Sequence, residues 1–185
     1  MTASPRKRSS KPRLLLHTCC GPCAAAVLEK LVDTYEVACF FYNPNIHPEA
    51  EYGLRIDQAR ELARRLAVGF TDGEYDAHQW FEEISGLEEE PEGGRRCEVC
   101  FRIRLGRTAK KAKEMGFGAF ATTLAISPHK DTQVIEKVGQ EVSREVGIPF
   151  LSGDWKKGNG FKRSVELSKE HGLYRQNYCG CEYSR

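Results

Sequence analysis

The sequence predicts a three-layer α/β fold: a parallel sheet covered by helices, with a metal site at the carboxyl ends of its strands. Three observations carry this. Short apolar runs alternate with amphipathic helical patterns along the chain. Its 185 residues suffice for one such domain and are too few for two. Polar and cysteine-rich motifs follow directly on the predicted strands.

Arg13–His17 (RLLLH) reads as a short buried strand, and Cys23–Tyr35 as a helix with Val27, Leu28, Leu31 and Val32 on one face. Glu36–Tyr42 is the second strand, closed by the turn-forming Asn43-Pro44-Asn45. Glu49–Leu66 is a charged amphipathic helix, Ala67–Thr71 a third strand, and Ala77–Ile84 a short helix before a glutamate- and glycine-rich loop. A long basic helix runs from Cys97 to Met115, followed by a fourth strand at Ala119–Leu124 and a helix at Thr132–Val146. Pro149–Leu151 is a fifth short strand, and Arg163–Glu170 a last helix before the segment Tyr174–Arg185.

Residues 1–12 are expected to be a disordered basic tail and 13–185 one metal-binding catalytic domain. Met1–Arg13 holds five basic residues and no apolar stretch, which excludes a signal peptide and points to a cytoplasmic protein. No run approaches the ~18 apolar residues of a membrane span. The net charge is +2, but without the tail 23 basic residues face 26 acidic ones. Charge is segregated within this body: Glu82–Glu92 holds six glutamates and no base, whereas Arg95–Lys113 holds eight basic residues against Glu98 alone. Such segregation suggests an anionic partner meeting one face.

Eight cysteines in a reducing compartment argue for metal or redox chemistry rather than disulfides. Seven fall into three tight groups: Cys19, Cys20 and Cys23; Cys97 and Cys100; Cys179 and Cys181. A Cys-x-x-Cys turn brings two sulfurs to the same side of the chain, where they reach one metal or cluster. Cys39, alone in an apolar run, reads as a buried structural thiol. Seven thiolates exceed one structural zinc, and suit a 4Fe–4S cluster on four of them with a neighbouring iron ion on three. On counting alone, two zinc ions also fit. Cys20-Gly21-Pro22-Cys23 matches a thioredoxin-like dithiol oxidoreductase, but the other pairs have no role there. The turn after the first strand carries cysteines instead of a phosphate-cradling glycine loop, which argues against a nucleotide there.

Taken in order, His17-Thr18-Cys19-Cys20-Gly21-Pro22-Cys23, Tyr42-Asn43-Pro44-Asn45-Ile46-His47, Cys97-Glu98-Val99-Cys100 with Arg102 and Arg104, Thr122-Thr123-Leu124, and Leu173 to Cys181 ending in Tyr-Cys-Gly-Cys resemble the epoxyqueuosine reductase QueH family. The likeness runs from Arg13 to Ser184. It implies a fold similar to the adenine-nucleotide α-hydrolase group, with the nucleotide loop converted to a metal site. It also implies reduction of epoxyqueuosine to queuosine at the wobble position of tRNA with GUN anticodons, without cobalamin, and an electron donor protein or reductant. Within that reading, Asp131 and Tyr178 are candidate proton donors, alongside His129 and Lys130. Asn43, Asn45 and His47 are candidate contacts to the modified base, and Tyr174 and Arg175 to an unstacked anticodon base. Arg104, Arg107 and Lys111 are candidate phosphate contacts. A zinc-stabilised RNA-binding module without catalysis is the rival from another class.

Overall fold

In the computed structural model, which describes residues 10–184, four parallel strands form one sheet. They are β1 (Arg13–His17), β2 (Glu36–Phe41), β3 (Gly69–Asp72) and β4 (Ala119–Thr122), in the order β3-β2-β1-β4. Most of the expected basic tail lies outside the described residues, and residues 10–12 lead exposed into β1.

Alternation along β1 sends Leu14 and Leu16 to one layer and Leu15 to the other. On the first face, Val27, Leu28 and Leu31 of α1 (Gly21–Leu31), Leu62 of α2 (Glu49–Arg65) and Leu167 of α6 (Gly160–Glu170) close over Leu14, Leu16, Val37 and Cys39. On the second, α4 (Arg95–Glu114) and α5 (Thr132–Val146) bury Phe101, Leu105, Ile135 and Val138 against Leu15, Phe40 and Phe120. The short helix α3 (Ala77–Glu83) places Trp80 over the first turns of α4. These are the three layers that the alternating pattern predicts. Among the described residues, no helix is long and apolar enough to cross a membrane.

Several boundaries move, each for a local reason. The first helix begins at Gly21 rather than Cys23, because the Cys20 sulfur accepts the Cys23 amide as an N-cap and Pro22 suits the first turn. It ends at Leu31, short of Tyr35. The third strand starts at Gly69, since Ala67 takes a left-handed φ of 53° and the Val68 amide still bonds the Ala63 carbonyl. The fifth strand is reduced to a single bridge between Phe120 and Phe150: Pro149 has no N–H to extend the ladder. The last helix starts at Gly160, and a 3₁₀ turn at Glu182–Ser184 was not foreseen.

Cys39 is buried in the layer between the sheet and α1, and burial pushes its thiol up to about 11. It lies apart from the three cysteine groups. Cys39→Ala should therefore cost only about 1 kcal/mol in urea unfolding and leave metal content unchanged. Loss of metal in this variant would place Cys39 among the ligands.

The strand order reverses between β1 and β4, where the chain that follows one strand turns away from the chain that follows the other. A crevice forms at such a point, beyond the carboxyl ends of the strands. Cys19 and Cys20 follow β1 there, and Thr123 follows β4.

Candidate metal centre

At the switch point Thr123 bonds Cys19 twice: its hydroxyl accepts the Cys19 amide at 3.1 Å and donates to the Cys19 sulfur at 3.2 Å. The N-terminus of α1 then brings Cys20 and Cys23 round, so that the three sulfurs lie within 4.8 Å of one another. A tetrahedral ion with metal–sulfur bonds of about 2.3 Å holds its sulfurs about 3.8 Å apart, so this trio fits a single ion after small adjustments. Hydrogen bonds from the Cys20 and Cys23 thiols hold Cys19 well below the usual thiol range, helped by the charge of Arg104. The same contact pushes Cys20 up to about 12 and Cys23 well above its ordinary value. These contacts favour the anionic form at Cys19, and a cation would displace the protons that the trio still holds.

His17 supports this turn from below. Its Nε2 can only donate to the Tyr42 carbonyl, at 3.2 Å, so Nδ1 accepts from the Thr122 hydroxyl at 2.9 Å. Burial, with Arg104 nearby, lowers His17 to about 3, and the ring is neutral. The unfolded chain binds this proton below about pH 6.5 and the folded chain does not. Folded stability should therefore fall by up to about 1.4 kcal/mol per unit as pH drops from 6.5 towards 3. In metal-free protein His17→Gln should flatten that slope in denaturant titrations. An unchanged slope would mean that other groups set it.

The remaining four grouped cysteines come from two distant parts of the chain, its middle and its C-terminal segment. Cys97 and Cys100 occupy the first turns of α4, and Cys179 and Cys181 the C-terminal segment, and all four line one small pocket. Trp80, Ile84, Cys100 and Cys181 pack as one buried group, with Cys179 against it. The Cys181 thiol, then Lys130 and Ser184, lowers Cys179 to about 4, whereas Cys181 is pushed up. Burial raises Cys97. A cleft of about 300 Å³ joins the two groups, lined by Cys19, Cys23 and Cys179 and by Arg104, Lys130 and Tyr178.

The C-terminal segment reaches its place through a clamp that the sequence did not reveal. Arg55 and Glu51 form an ion pair of 2.7 Å with side chains only 2% and 11% exposed. The Arg55 guanidinium donates to the carbonyls of Cys179 at 3.0 Å and Tyr178 at 3.3 Å. Between the two cysteines, Gly180 has φ 103°, and a Cβ there would meet Ile46 at 2.8 Å. Only glycine fits this turn.

The expected substrate contacts fall into different places. Asn43 is buried with its amide spent inside the protein: it donates to the Thr18 carbonyl and accepts from Arg104. Arg104, 3% exposed, lines both the pocket and the cleft, and its guanidinium lies 3.9 Å from the Cys100 sulfur. Both are buried within the cysteine site rather than exposed on the surface. The basic helix likewise presents no continuous phosphate stripe. Arg102 pairs with Glu141 and Glu145, Arg107 with Glu74, and Lys111 with Glu114. Arg13 bonds the Met115 and Gly116 carbonyls at the far end, so Arg107 and Lys111 lie roughly 10 and 16 Å down the helix from Cys100.

Other candidates do border the centre. Asp131 caps α5 by accepting the Gln133 amide and lines the pocket of the four cysteines. Tyr178 lines the cleft, and its hydroxyl donates to the His47 carbonyl at 2.6 Å. Asn45 is buried beside the four cysteines, and the His47 ring packs on Phe81 and Trp80. Tyr174 is exposed and bonds Glu51, while Arg175 bonds Ser168 on the cleft wall. Trp80, Arg55 and Thr123 border the site without having been assigned roles; Thr123 alone had a signal, its place directly after β4.

The model of the family described as "Epoxyqueuosine reductase QueH" matches residues 14–185. The chain is 43% identical to the epoxyqueuosine reductase QueH of Streptococcus pyogenes serotype M1, covering 96% of this chain and 72% of that protein. It is 41% identical to the QueH of Acinetobacter baylyi, over 93% of this chain and 80% of that protein. Among solved structures, a predicted subunit of tRNA methyltransferase from Methanocaldococcus jannaschii superposes with a TM-score of 0.54 at 16% identity, covering 86% of this chain and 75% of that one. That likeness is one of fold and agrees with the parallel, three-layer α/β architecture expected from the sequence. With the motif cysteines gathered at one sheet edge and the match running from β1 to the C-terminus, the chain belongs to the epoxyqueuosine reductase QueH family.

Proposed function

We propose that this protein reduces epoxyqueuosine to queuosine at the wobble position of tRNA with GUN anticodons. The observation that carries the reading is the gathering of seven thiols in two neighbouring groups, four lining a small pocket and three clustered beside the adjoining cleft, in a chain of this family. The reaction breaks both C–O bonds of an epoxide, forms an alkene, consumes two electrons and two protons, and releases the oxygen as water.

The donor set fits an iron–sulfur centre with an adjacent iron. Cys97, Cys100, Cys179 and Cys181 are four soft ligands around one pocket, the number that a 4Fe–4S cluster takes. Cys19, Cys20 and Cys23 have single-ion spacing and would hold one ion, and Cys19 and Cys23 line the cleft. When bound, such a centre supplies single electrons and a Lewis-acidic iron for an oxygen atom. The electrons come from a donor protein or small reductant. The protein's own residues do the rest. The cleft is large enough to admit an unstacked base, and Gln176, Asn177 and Tyr178 offer hydrogen-bonding groups on its wall. His129 and Lys130 border it, and Asp131 borders the adjoining pocket, as proton sources, and Lys130 also balances the charge of Cys179. The expectation of a cytoplasmic enzyme suits a tRNA substrate.

Anaerobic reconstitution followed by elemental analysis should give more than four irons per chain with acid-labile sulfide. Stoichiometric zinc without sulfide in an active preparation would sink this reading. For tRNA, the proposed binding face is the cleft rim rather than Arg107 and Lys111, a choice supported by the pairing of those two with Glu74 and Glu114. Lys130→Glu with Arg175→Glu should weaken binding and reduce the log–log salt slope by about 0.7–0.9 per lost phosphate contact. Arg107→Glu with Lys111→Glu should do less. The reverse order, measured by filter binding across salt concentrations, would return the interface to α4.

A further inference from the structure

Three buried N–H groups without hydrogen-bond partners belong to residues that line the four-cysteine pocket: Trp80 Nε1, Arg96 Nε and Arg104 Nε. A buried donor left unpaired costs about 1–3 kcal/mol, and orphan N–H groups are rare in folded proteins. Asn45 Oδ1, also unpaired, lines the same pocket, but one amide oxygen does not satisfy three donors, so a further acceptor within the pocket is implied. The pocket's own chemistry supplies one, since thiolates and inorganic sulfide accept N–H donors.

The neighbouring contacts agree. Trp80 is fully buried and packs directly in the group that holds Cys100 and Cys181. Arg104 already places Nη1 at 3.9 Å from the Cys100 sulfur, and its Nη2 is fixed by Asn43 at 2.6 Å. Arg96 spends its Nη1 on the carbonyls of Leu87 and Glu88 and its Nη2 on that of Tyr183, which leaves Nε over. Two guanidinium charges therefore stand beside four thiols that become anionic on binding metal.

Resting on the iron–sulfur reading above, we propose that Trp80, Arg96 and Arg104 are positioning residues that donate N–H bonds to the sulfurs of the four-cysteine centre and set its reduction potential. Reduction adds negative charge to the centre. Donors and cations around the sulfurs stabilise the reduced form and raise the potential.

The test is a redox titration of the full chain reconstituted with iron and sulfide under argon, followed by visible absorption, on wild type and three variants. Trp80→Phe keeps a buried aromatic ring and loses the N–H together with part of the indole's volume, so its iron and sulfide content is checked first. Arg104→Lys keeps the charge, and Arg104→Met removes it. With iron and sulfide at wild-type levels, Trp80→Phe should shift the reduced-to-oxidised ratio several-fold towards the oxidised form. Arg104→Met should shift it about tenfold or more, which is 59 mV for a one-electron couple, and Arg104→Lys should recover part of that. Where Arg104→Met fails to fold, the Trp80→Phe titration decides. Unchanged potentials in variants that retain full iron and sulfide would overturn the assignment and leave the iron–sulfur reading standing. Wild-type protein that takes up no sulfide overturns both, and elemental analysis tells the two failures apart.

Discussion

Cys179→Ser and Cys97→Ser should lose epoxyqueuosine reduction altogether, together with acid-labile sulfide and the visible absorption of the reconstituted protein. Serine offers a hard, poorly ionised oxygen where the centre needs a soft thiolate. The loss should exceed the roughly 10- to 100-fold that follows removal of a supporting partner. Cys19→Ser should differ in kind. Its sulfur belongs to the trio with single-ion spacing, so this variant should retain sulfide and absorption while losing activity and about one iron per chain. The contrast is read from iron and sulfide per chain after identical reconstitution. Sulfide lost from Cys19→Ser and kept in Cys97→Ser would exchange the two groups' roles.

Arg55→Met should be the most damaging change outside the ligands. It removes one partner of a buried ion pair and leaves the Glu51 carboxylate, 11% exposed, without its cation. Breaking such a pair costs about 3–5 kcal/mol. The same change frees the Tyr178 and Cys179 carbonyls and the stacking of the guanidinium over the Tyr178 ring. Denaturant unfolding should show the stability loss. The variant should also release iron to a chelator faster than wild type, because Cys179 and Cys181 lose the contact that holds their segment against α2. A stability change below about 1 kcal/mol would mean that the segment is held chiefly elsewhere, for instance by the bond from the His47 amide to the Gly180 carbonyl at 2.8 Å.

The sheet and its helices were legible because local patterns determine them. Leu14–Leu16 and Val37–Phe41 are continuous apolar runs of the kind a strand buried on both faces requires. The three cysteine groups were legible as groups because their spacing is itself local. Their division was not, since Cys97 and Cys179 meet only when α4 and the C-terminal segment converge, and no spacing in the sequence encodes that. Arg104 was misplaced on a phosphate-binding face because it sits in a strongly basic helix. Helical periodicity carried the correction: Cys97, Cys100, Phe101, Arg104, Leu105 and Thr108 fall on one stripe, which the fold buries or half-buries throughout. The Arg55 clamp had no comparable signal. An arginine four residues after a glutamate in a charged helix reads as an ordinary surface pair, and only the returning C-terminus covers it.

The most direct test of the central claim is a single turnover. Anaerobically reconstituted protein is mixed with tRNA carrying epoxyqueuosine and a strong chemical reductant, and the digested nucleosides are weighed by mass spectrometry. Epoxyqueuosine should be converted to queuosine, with the mass falling by one oxygen atom, and without any requirement for cobalamin. Epoxyqueuosine recovered unchanged, from protein that carries its full iron and sulfide and binds the tRNA, would contradict that claim.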